Sequence, residues 1–451
     1  MSILAILGGK RAVSSRFQAW PEDYLRKYGR DEARAIARIS RSGRLAAPSP
    51  TTNPFEPYPV LEAGKFEREF ATHVGVKHAR LVASGTAALH CALAGAGVRP
   101  GDEVITTPHT YISTATSILL QGAVPRFVDI DDRTFNIDPS KIETAITKST
   151  RAILPVHIYG LVANMSQVQR IAKKHNLAIV EDACQSHGAE YNSQKAGSFG
   201  RLSAFSLNST KNMAAGEGGV YVTNDTNSLL RSETVRLFGE VFDPKVSRAR
   251  NISELGNNYR TTELIAAVAR VQLRKLSRTN ADRVRNANYL KKKLAKIDGI
   301  VPPFVPSGYK HVFHMFKIRI DSTKFDYRIS PRELRNKIVS ALVAEGVPAS
   351  VWCCRPIYLQ PLFSPNARGS QWLHPKFVEL RMRAEFQRGL CPLAERVSDE
   401  SFNLTVHPPN SLETMEEYVE AFEKVVANVD ELKRVRGEMT EIERGLMTVA
   451  A

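Results

Sequence analysis

The stretch EDACQSHGAEYNSQKAGSFGRLSAFSLNSTKNMAAGEGG, residues 181–219, decides the fold of this chain. The apolar run 177–180 leads into an acidic pair that ends with Asp182. A second apolar run, 204–207, leads into a polar loop that carries Lys211 into a cluster of glycines. Short apolar runs bounded by polar residues and glycines are typical of buried strands. The pattern predicts two strands whose ends present an acid and a lysine.

Lys211 is the residue on which a functional interpretation depends. Most lysines are solvated, but this one has small and polar neighbours and follows a strand that should be buried. A lysine that can lose its proton attacks aldehydes, and pyridoxal phosphate is the best-known aldehyde used in this way. Such a cofactor needs an acid beside its ring nitrogen, donors for its phosphate and a clamp on its ring.

Candidates for these three tasks follow predicted strands. Asp182 suits the ring nitrogen, although a single aspartate at a strand end is more often a turn or cap residue. Gly85 and Thr86 open an alanine-rich helix, where free backbone N–H groups favour a phosphate, and Ser206 adds a hydroxyl. Tyr111 could stack on the ring, although a single tyrosine is more often part of the core.

The pattern around these residues predicts an α/β fold. Strands alternate with helices, which indicates a large, mostly parallel sheet covered by helices on both faces, and such sheets bind ligands at the carboxyl ends of their strands. We predict an N-terminal arm at 1–60, a large cofactor-binding domain at 61–300, a smaller α+β domain at 301–435 and a tail at 436–451.

Individual elements are predicted from periodicity and turn residues. In the arm, which we expect to lie on the body or on a second subunit, a basic helix is predicted at 26–39, followed by a polar connection at 46–59. A helix is expected to begin near Pro139. Two further helices are predicted at 261–276 and 281–297.

Composition narrows the class of protein. The formal net charge is +16, but the basic residues are spread, and no zinc-finger or zipper spacing favours a nucleic-acid partner. Five cysteines without C-x-x-C spacing favour a reducing compartment over a disulfide framework or a metal site. No apolar run is long enough for a membrane span. We expect a soluble, cytoplasmic protein.

Five motifs, in one order, resemble the DegT/DnrJ/StrS family of pyridoxal-phosphate-dependent sugar aminotransferases of fold type I. They are SGTAAL at 84–89, PGDEVI at 100–105, EDACQSHGA at 181–189, FSLNSTKNMAAGEGG at 205–219 and GNNYRTTELIAA at 256–267. The resemblance extends from about residue 55 to near residue 410. It implies the fold, the cofactor and a role for each matching residue.

The resemblance implies that Lys211 binds the cofactor covalently and then moves the substrate proton. It implies that Asp182 pairs with the pyridine nitrogen and that Gln185 lies beside the ring hydroxyl. The phosphate-binding positions match Gly85, Thr86 and Ser206, and the ring-stacking position matches Tyr111.

Two further matches concern a second subunit and the donor. Asn258 resembles the residue that reaches the phosphate of a neighbouring subunit, which implies a homodimer with a shared active site. Arg260 matches a position implicated in holding the carboxylate of the amino donor, a task that suits a guanidinium.

The reaction implied is a ping-pong transfer through the pyridoxamine phosphate form, from glutamate or glutamine to a keto-sugar or keto-cyclitol. The segments at 352–363 and 391–396 look more like the cyclitol (inosose) and aminohydroxybenzoate branch than like some sugar-nucleotide members. Two alternatives stay open. One is a dehydratase of the same fold, although those relatives replace the lysine by histidine. The other is a non-catalytic regulator, which only the basic arm supports.

Overall fold

The computed structural model describes residues 3–13, 28–46, 61–240, 252, 254–326, 329–368, 373–383 and 385–434. The predicted tail, most of the predicted polar connection at 46–59 and the start of the predicted arm helix lie outside these residues.

The strands of the described residues alternate with helices along the first half of the chain. In chain order they are β1 (His78–Val82), β2 (Glu103–Thr106), β3 (Val124–Phe127), β4 (Thr150–Leu154), β5 (Ala178–Asp182), β6 (Glu190–Tyr191), β7 (Gln194–Lys195), β8 (Leu202–Ser206), β9 (Gly219–Thr223), β10 (Ile300–Val301), β11 (Tyr309–Lys310), β12 (Phe316–Ile320), β13 (Ala349–Ser350) and β14 (Ser401–Leu404).

A seven-stranded sheet with the order β1-β9-β8-β5-β4-β2-β3 forms the centre. Six of these strands run in one direction, and β9 lies antiparallel between β1 and β8. Every residue of β8 and β9 is buried, as expected for strands covered on both faces. The predicted α/β fold with a large, mostly parallel sheet is confirmed.

Helices cover this sheet and a second, smaller one. They are α1 (Arg30–Ser42), α2 (Glu62–Val74), α3 (Gly85–Gly95), α4 (Ser113–Leu120), α5 (Met165–Lys174), α6 (Thr226–Arg236), α7 (Glu263–Leu294), α8 (Pro331–Ala344), α9 (Pro375–Met382), α10 (Pro392–Glu400) and α11 (Leu412–Ala427). Among them, none combines the length and hydrophobicity that a bilayer crossing requires.

One long helix stands where two were predicted. The 32 residues of α7 run without a break through the polar stretch that separated the predictions at 261–276 and 281–297. The reason is Asn280, which is buried and donates from Nδ2 to the His187 carbonyl at 2.8 Å. A polar side chain that would be unfavourable in a helix core is satisfied by the loop after β5, so the helix continues.

Two other predicted helices differ in the structure. The helix expected near Pro139 is replaced by two single 3₁₀ turns, because Asp138 caps the first and the backbone is already extended at Ile146. The arm helix is α1, and its described residues lie along α7, where Glu32 accepts hydrogen bonds from Gln272 and Lys275. The described part of the arm therefore packs on the body of the same chain.

The second half of the chain builds an antiparallel sheet with the order β10-β12-β14-β13. Its core includes Ile318, Ile338 and Phe422, contributed by β12, α8 and α11. The segment between β13 and β14 packs elsewhere: Tyr358 and Phe377 belong to the core cluster of the large sheet. The small sheet is thereby held beside the carboxyl ends of the central strands.

Glu181, the first acid of the opening stretch, is a structural residue. Its carboxylate accepts hydrogen bonds from the backbone N–H groups of Gly197, Phe199 and Gly200, at 2.8, 2.8 and 2.6 Å, and contacts His157 Nε2 at 2.8 Å. Burial opposes its charge, yet these hydrogen bonds hold its pKa below the ordinary value. Glu181 thus closes the turn that leads into β8.

Glu181→Gln should destabilise the fold by about 3 kcal/mol, because an amide presents N–H groups to donors that need an acceptor. Urea unfolding measures this loss, with the partly exposed Glu190→Gln as a control that changes stability by less than about 0.5 kcal/mol. Since the folded pKa is depressed, the stabilisation by Glu181 is complete above the unfolded pKa of about 4.3 and is lost as pH falls through the folded pKa. Equal stability of the two variants would contradict this role.

Candidate active site

A cavity of about 430 Å³ lies at the carboxyl ends of β5 and β8, between the two sheets. Most of the residues predicted from the sequence line it: Gly85, Thr86, Tyr111, Asp182, Gln185, Ser206 and Lys211. These residues follow the ends of four separate strands. The fold therefore brings together residues that lie up to 126 positions apart in the sequence, from Gly85 to Lys211.

Asp182 is the last residue of β5, and its carboxylate is held in one orientation. Thr114 Oγ1 donates to Oδ2 at 2.7 Å, and the backbone N–H of Cys184 donates to Oδ1 at 3.2 Å. Thr110 Oγ1 lies 3.0 Å from Thr114 Oγ1 and continues the network. The side chain is buried, so the carboxylate is suited to a cationic partner inside the cavity.

Lys211 reaches the same cavity from the loop after β8. Its backbone N–H donates to the Asn208 carbonyl at 2.9 Å, which forms a tight turn. Burial lowers the pKa of Lys211 from its ordinary value, and the charges of Asp182 and Glu217 oppose this in part. A lysine with a lowered pKa is closer to the neutral form that a nucleophile or base requires.

Two asparagines that the sequence analysis missed hold this loop in place. Asn212, the neighbour of Lys211, is buried and donates from Nδ2 to Asn280 Oδ1 at 2.9 Å and to the Val312 carbonyl at 3.0 Å. The loop is therefore fixed to α7 and to the segment before β12. The sequence signal for this pairing is the polar residue Asn280, which lies between the two helices predicted at 261–276 and 281–297.

The N-terminus of α3 forms a cradle beside the lysine loop. Ser84 caps the helix by accepting from the Ala87 N–H at 3.1 Å. A Cβ on Gly85 would lie 2.8 Å from Ser206 Cβ and 3.2 Å from Cys184 Sγ, so only glycine fits without displacement. Free backbone N–H groups at a helix start favour an anion such as a phosphate.

Gln185 and Tyr111 differ in how firmly they are held. Gln185 is buried, and its Oε1 accepts a hydrogen bond from the Tyr159 N–H at 2.9 Å. The NH₂ of the same amide can therefore act as a hydrogen-bond donor to a ligand. Tyr111 is 56% exposed and lines the cavity, so its ring is accessible to a planar ligand.

Asn258 and Arg260 do not line this cavity. Asn258 is exposed, and Arg260 Nε donates to its Oδ1 at 3.0 Å. The residue between them, Tyr259, accepts from the Ala83 N–H at 2.9 Å, so the segment lies beside the strand end that leads to α3. In a single chain these two side chains stand outside the site.

A further part of the cavity wall comes from in and beside the strands of the small sheet, and the sequence analysis did not place it. It is formed by His314, Met315, Ser350 and Trp352. Nothing in the local sequence around these residues shows that they face the ends of β5 and β8, because this contact depends on how the two sheets pack.

The residues of the cavity fit pyridoxal phosphate. A buried carboxylate faces the same space as a lysine of lowered pKa, and the glycine at the start of α3 leaves room for a phosphate close to the backbone. The DegT/DnrJ/EryC1/StrS aminotransferase family model matches residues 61–423. The chain belongs to this family. Membership of this aminotransferase family implies that the cofactor is pyridoxal phosphate.

Curated relatives show the range of the family. The chain is 35% identical to a "Pleiotropic regulatory protein" of Geobacillus stearothermophilus, over 79% of this chain and 87% of that protein. It is 40% identical to the GDP-perosamine synthase of Caulobacter vibrioides, over 57% and 68%. It is 34% identical to the L-glutamine:2-deoxy-scyllo-inosose aminotransferase of Streptoalloteichus tenebrarius, over 81% and 84%.

A solved structure agrees with this assignment. DesV of S. venezuelae, determined in complex with a ketimine intermediate, superposes with a TM-score of 0.74 at 31% identity, over 90% of this chain and 95% of that one. Together with the relatives, it supports amino-group transfer in amino sugar biosynthesis as the function of this family member.

Gly85→Ala should weaken pyridoxal phosphate binding by roughly tenfold or more, because the added Cβ displaces Ser206 at the phosphate cradle. Absorbance titration of the apoprotein measures the dissociation constant. Gly29→Ala is the control, since a Cβ there meets only Glu32 Oε2 at 3.9 Å. Unchanged affinity in Gly85→Ala would show that the phosphate binds elsewhere.

Proposed function

We propose that this protein is a pyridoxal-phosphate-dependent aminotransferase that moves an amino group from glutamate or glutamine to a keto-sugar or keto-cyclitol. The observation that carries the proposal is the meeting of Asp182, Lys211 and the start of α3 in one cavity. Each residue has an ordinary structural role when taken alone. Their convergence on a space of about 430 Å³ matches the needs of one cofactor and one small substrate.

The cavity residues divide the task of holding the cofactor. Asp182, fixed by Thr114, would pair with the protonated ring nitrogen, and Gln185 would lie beside the ring hydroxyl. Gly85, with Thr86 and Ser206 beside it, would bind the phosphate, while Tyr111 would cover the ring. When bound, pyridoxal phosphate supplies an electron sink for the substrate carbon.

Lys211 does the acid and base chemistry in this proposal. Its amine takes the proton from the donor carbon and returns a proton to the cofactor side, and it reverses both transfers with the acceptor. Burial lowers its pKa, so less free energy is needed to keep the amine neutral when it takes the proton. Hydrogen bonds of Asn208 and Asn212 anchor the loop that presents this amine to the cavity.

The acceptor class rests on the relatives and on the cavity wall. One relative is named for an inosose and another for a nucleotide-linked sugar, so a ring ketone is the shared chemistry. The indole of Trp352 offers a flat apolar surface to such a ring. The segments at 352–363 and 391–396 favour the cyclitol branch. The cofactor in its pyridoxamine phosphate form would supply the amino group for the ketone.

We also propose a homodimer with shared active sites. Asn258 is exposed beside the strand end that leads to α3, and Arg260 is turned toward it rather than into the cavity of its own chain. A second copy would use both: the amide for the cofactor phosphate and the guanidinium for the donor carboxylate.

Two broader predictions continue as proposals. We propose that the large domain spans 61–300 and the small domain 301–435, with the cavity between them. We propose a cytoplasmic location, which is supported by the state of all five cysteines, none of which forms a disulfide.

A regulatory role is the second candidate, because one relative is named as a regulatory protein. A lysine with a lowered pKa facing a buried aspartate favours catalysis, since a binding protein has no need of either. Lys211 also stands where dehydratases of this fold carry histidine, which disfavours dehydration.

Lys211→Ala should abolish both the visible absorbance band of the bound cofactor and amino transfer from glutamate or glutamine, a loss of about a thousandfold or more. Spectrophotometry and product analysis measure the two losses. Lys310→Ala, which removes an exposed lysine that pairs with Glu190, should leave both unchanged. Normal transfer by Lys211→Ala would rule out the proposed mechanism, and a deoxygenated product from the unaltered protein would favour the dehydratase.

Mixing two inactive variants tests the shared site. One parent carries Lys211→Ala, and the other carries both Asn258→Ala and Arg260→Ala. An equal mixture should recover up to about a quarter of the native sites, because half of the dimers are mixed and each mixed dimer has one intact site. Activity after subunit exchange measures the recovery. Activity no higher than the sum of the parents would mean that each chain completes its own site.

A further inference from the structure

Lys317 is a charged side chain buried behind the cavity. It lies on β12, where Phe316, Ile318 and Ile320 pack into the core of the small sheet. Because side chains alternate along a strand, Lys317 faces the opposite side, toward the central sheet. The residue is only 2% exposed, a rare position for a lysine.

The ammonium has a small set of partners. Nζ donates to the Trp352 carbonyl at 3.0 Å and lies 5.2 Å from the centroid of the Tyr159 ring. Among the described residues, the groups that act most on its charge are Cys353, Cys354 and Arg335, and none of them is a carboxylate. Burying a lysine in such surroundings is costly, and no carboxylate of the described part of the chain offsets the cost by forming an ion pair with Lys317.

The contact to Trp352 matters because this residue lines the cavity. Its indole meets the Tyr159 ring edge-on, with centroids 5.7 Å apart. The next residue, Cys353, has a φ of 55°, which is strained for a cysteine, and its Sγ donates to the Thr110 carbonyl at 3.5 Å. The turn at Trp352 therefore joins the small sheet to the strand end that carries Tyr111.

A strained turn keeps its shape only when neighbouring groups hold it. Here one hydrogen bond comes from Cys353 on the cavity side, and one goes to the Trp352 carbonyl from Lys317 on the buried side. Loss of the second contact would free the Trp352 peptide to rotate, and the indole would move with it.

We propose that Lys317 is a positioning residue that fixes the Trp352 wall for the acceptor ring. Lys317 does not touch substrate itself; it acts through the carbonyl of Trp352. The identity of the acceptor rests on the proposed function, whereas the coupling between Lys317 and Trp352 rests on the contacts alone.

The coupling between Lys317 and Trp352 should depend on pH, because Lys317 gains and loses a proton. Burial lowers the pKa of Lys317 to about 7, so its charge is lost as pH rises through the neutral range. Three of the neighbouring groups titrate elsewhere: burial lowers the pKa of His109 well below its ordinary value, and it raises the pKa of Cys353 to about 12 and that of Tyr159 well above its ordinary value. The guanidinium of Arg335 keeps its charge throughout this pH range.

The fluorescence of a variant whose only tryptophan is Trp352 reports on the Trp352 wall directly. The sequence has three tryptophans, and Trp20→Phe with Trp372→Phe leaves only Trp352. Its emission should change between about pH 6 and about pH 9 with a midpoint near 7. Lys317→Met should abolish the transition without lowering the melting temperature, since a buried charge is replaced by an apolar chain of similar length. Lys324→Met, at a half-exposed lysine, should keep it.

Two results of this titration would overturn the proposal. One is a transition of unchanged size in Lys317→Met, which would assign it to another group, such as His314 in the cavity or Cys354. The other is the absence of any transition while Lys317 is present.

Kinetic measurements on the two half-reactions test the proposal in a second way. With L-glutamine as donor and 2-deoxy-scyllo-inosose as acceptor, Lys317→Met should raise the acceptor KM roughly tenfold and leave the L-glutamine half-reaction within about twofold. Lys317→Gln, which keeps an N–H donor for Trp352, should restore most of the acceptor affinity. Equal changes in both half-reactions would indicate a merely structural role. Failure of the proposed function appears instead as no transfer by the unaltered protein, and the emission titration still decides the role of Lys317.

Discussion

The backbone of Ser84 and Gly85 packs directly against the ends of two neighbouring strands. A Cβ on Gly219 would lie 2.2 Å from the Ser84 carbonyl oxygen, and one on Gly85 would lie 2.8 Å from Ser206 Cβ. Only glycine allows both approaches. As a result the N-terminus of α3, where an anion is favoured, lies beside the loop that carries Lys211. The rest of the site is arranged around this contact.

The polar groups of the site are held from behind, and this support connects the fold to the chemistry. Asp182 is oriented by Thr114, and the lysine loop is tied to α7 through Asn212 and Asn280. Such hydrogen bonds inside a protein cost little reorganisation when charge moves. The same burial that makes them effective also lowers the pKa of Lys211, so the fold prepares the amine for proton transfer.

The sheet and most of the cavity can be predicted from the sequence because both depend on local patterns. Apolar runs mark buried strands, and the polar residues that follow them, such as Asp182, must lie at the carboxyl edge. Prediction from the sequence failed where a distant partner overrides local preference, as at Asn280, which looked like a helix break and is instead bonded to the loop after β5. It could not place Trp352 either, because that position depends on how two sheets meet, nor identify the burial of Lys317.

The central claim is that Lys211 carries the cofactor. Borohydride reduction of the purified, cofactor-loaded protein, followed by proteolysis and mass spectrometry, tests it directly, because reduction makes a lysine–cofactor bond permanent. We predict a phosphopyridoxyl group on the peptide that contains Lys211 and on no other lysine. Modification of a different lysine, or none at all in protein that retains the visible absorbance, would contradict the account.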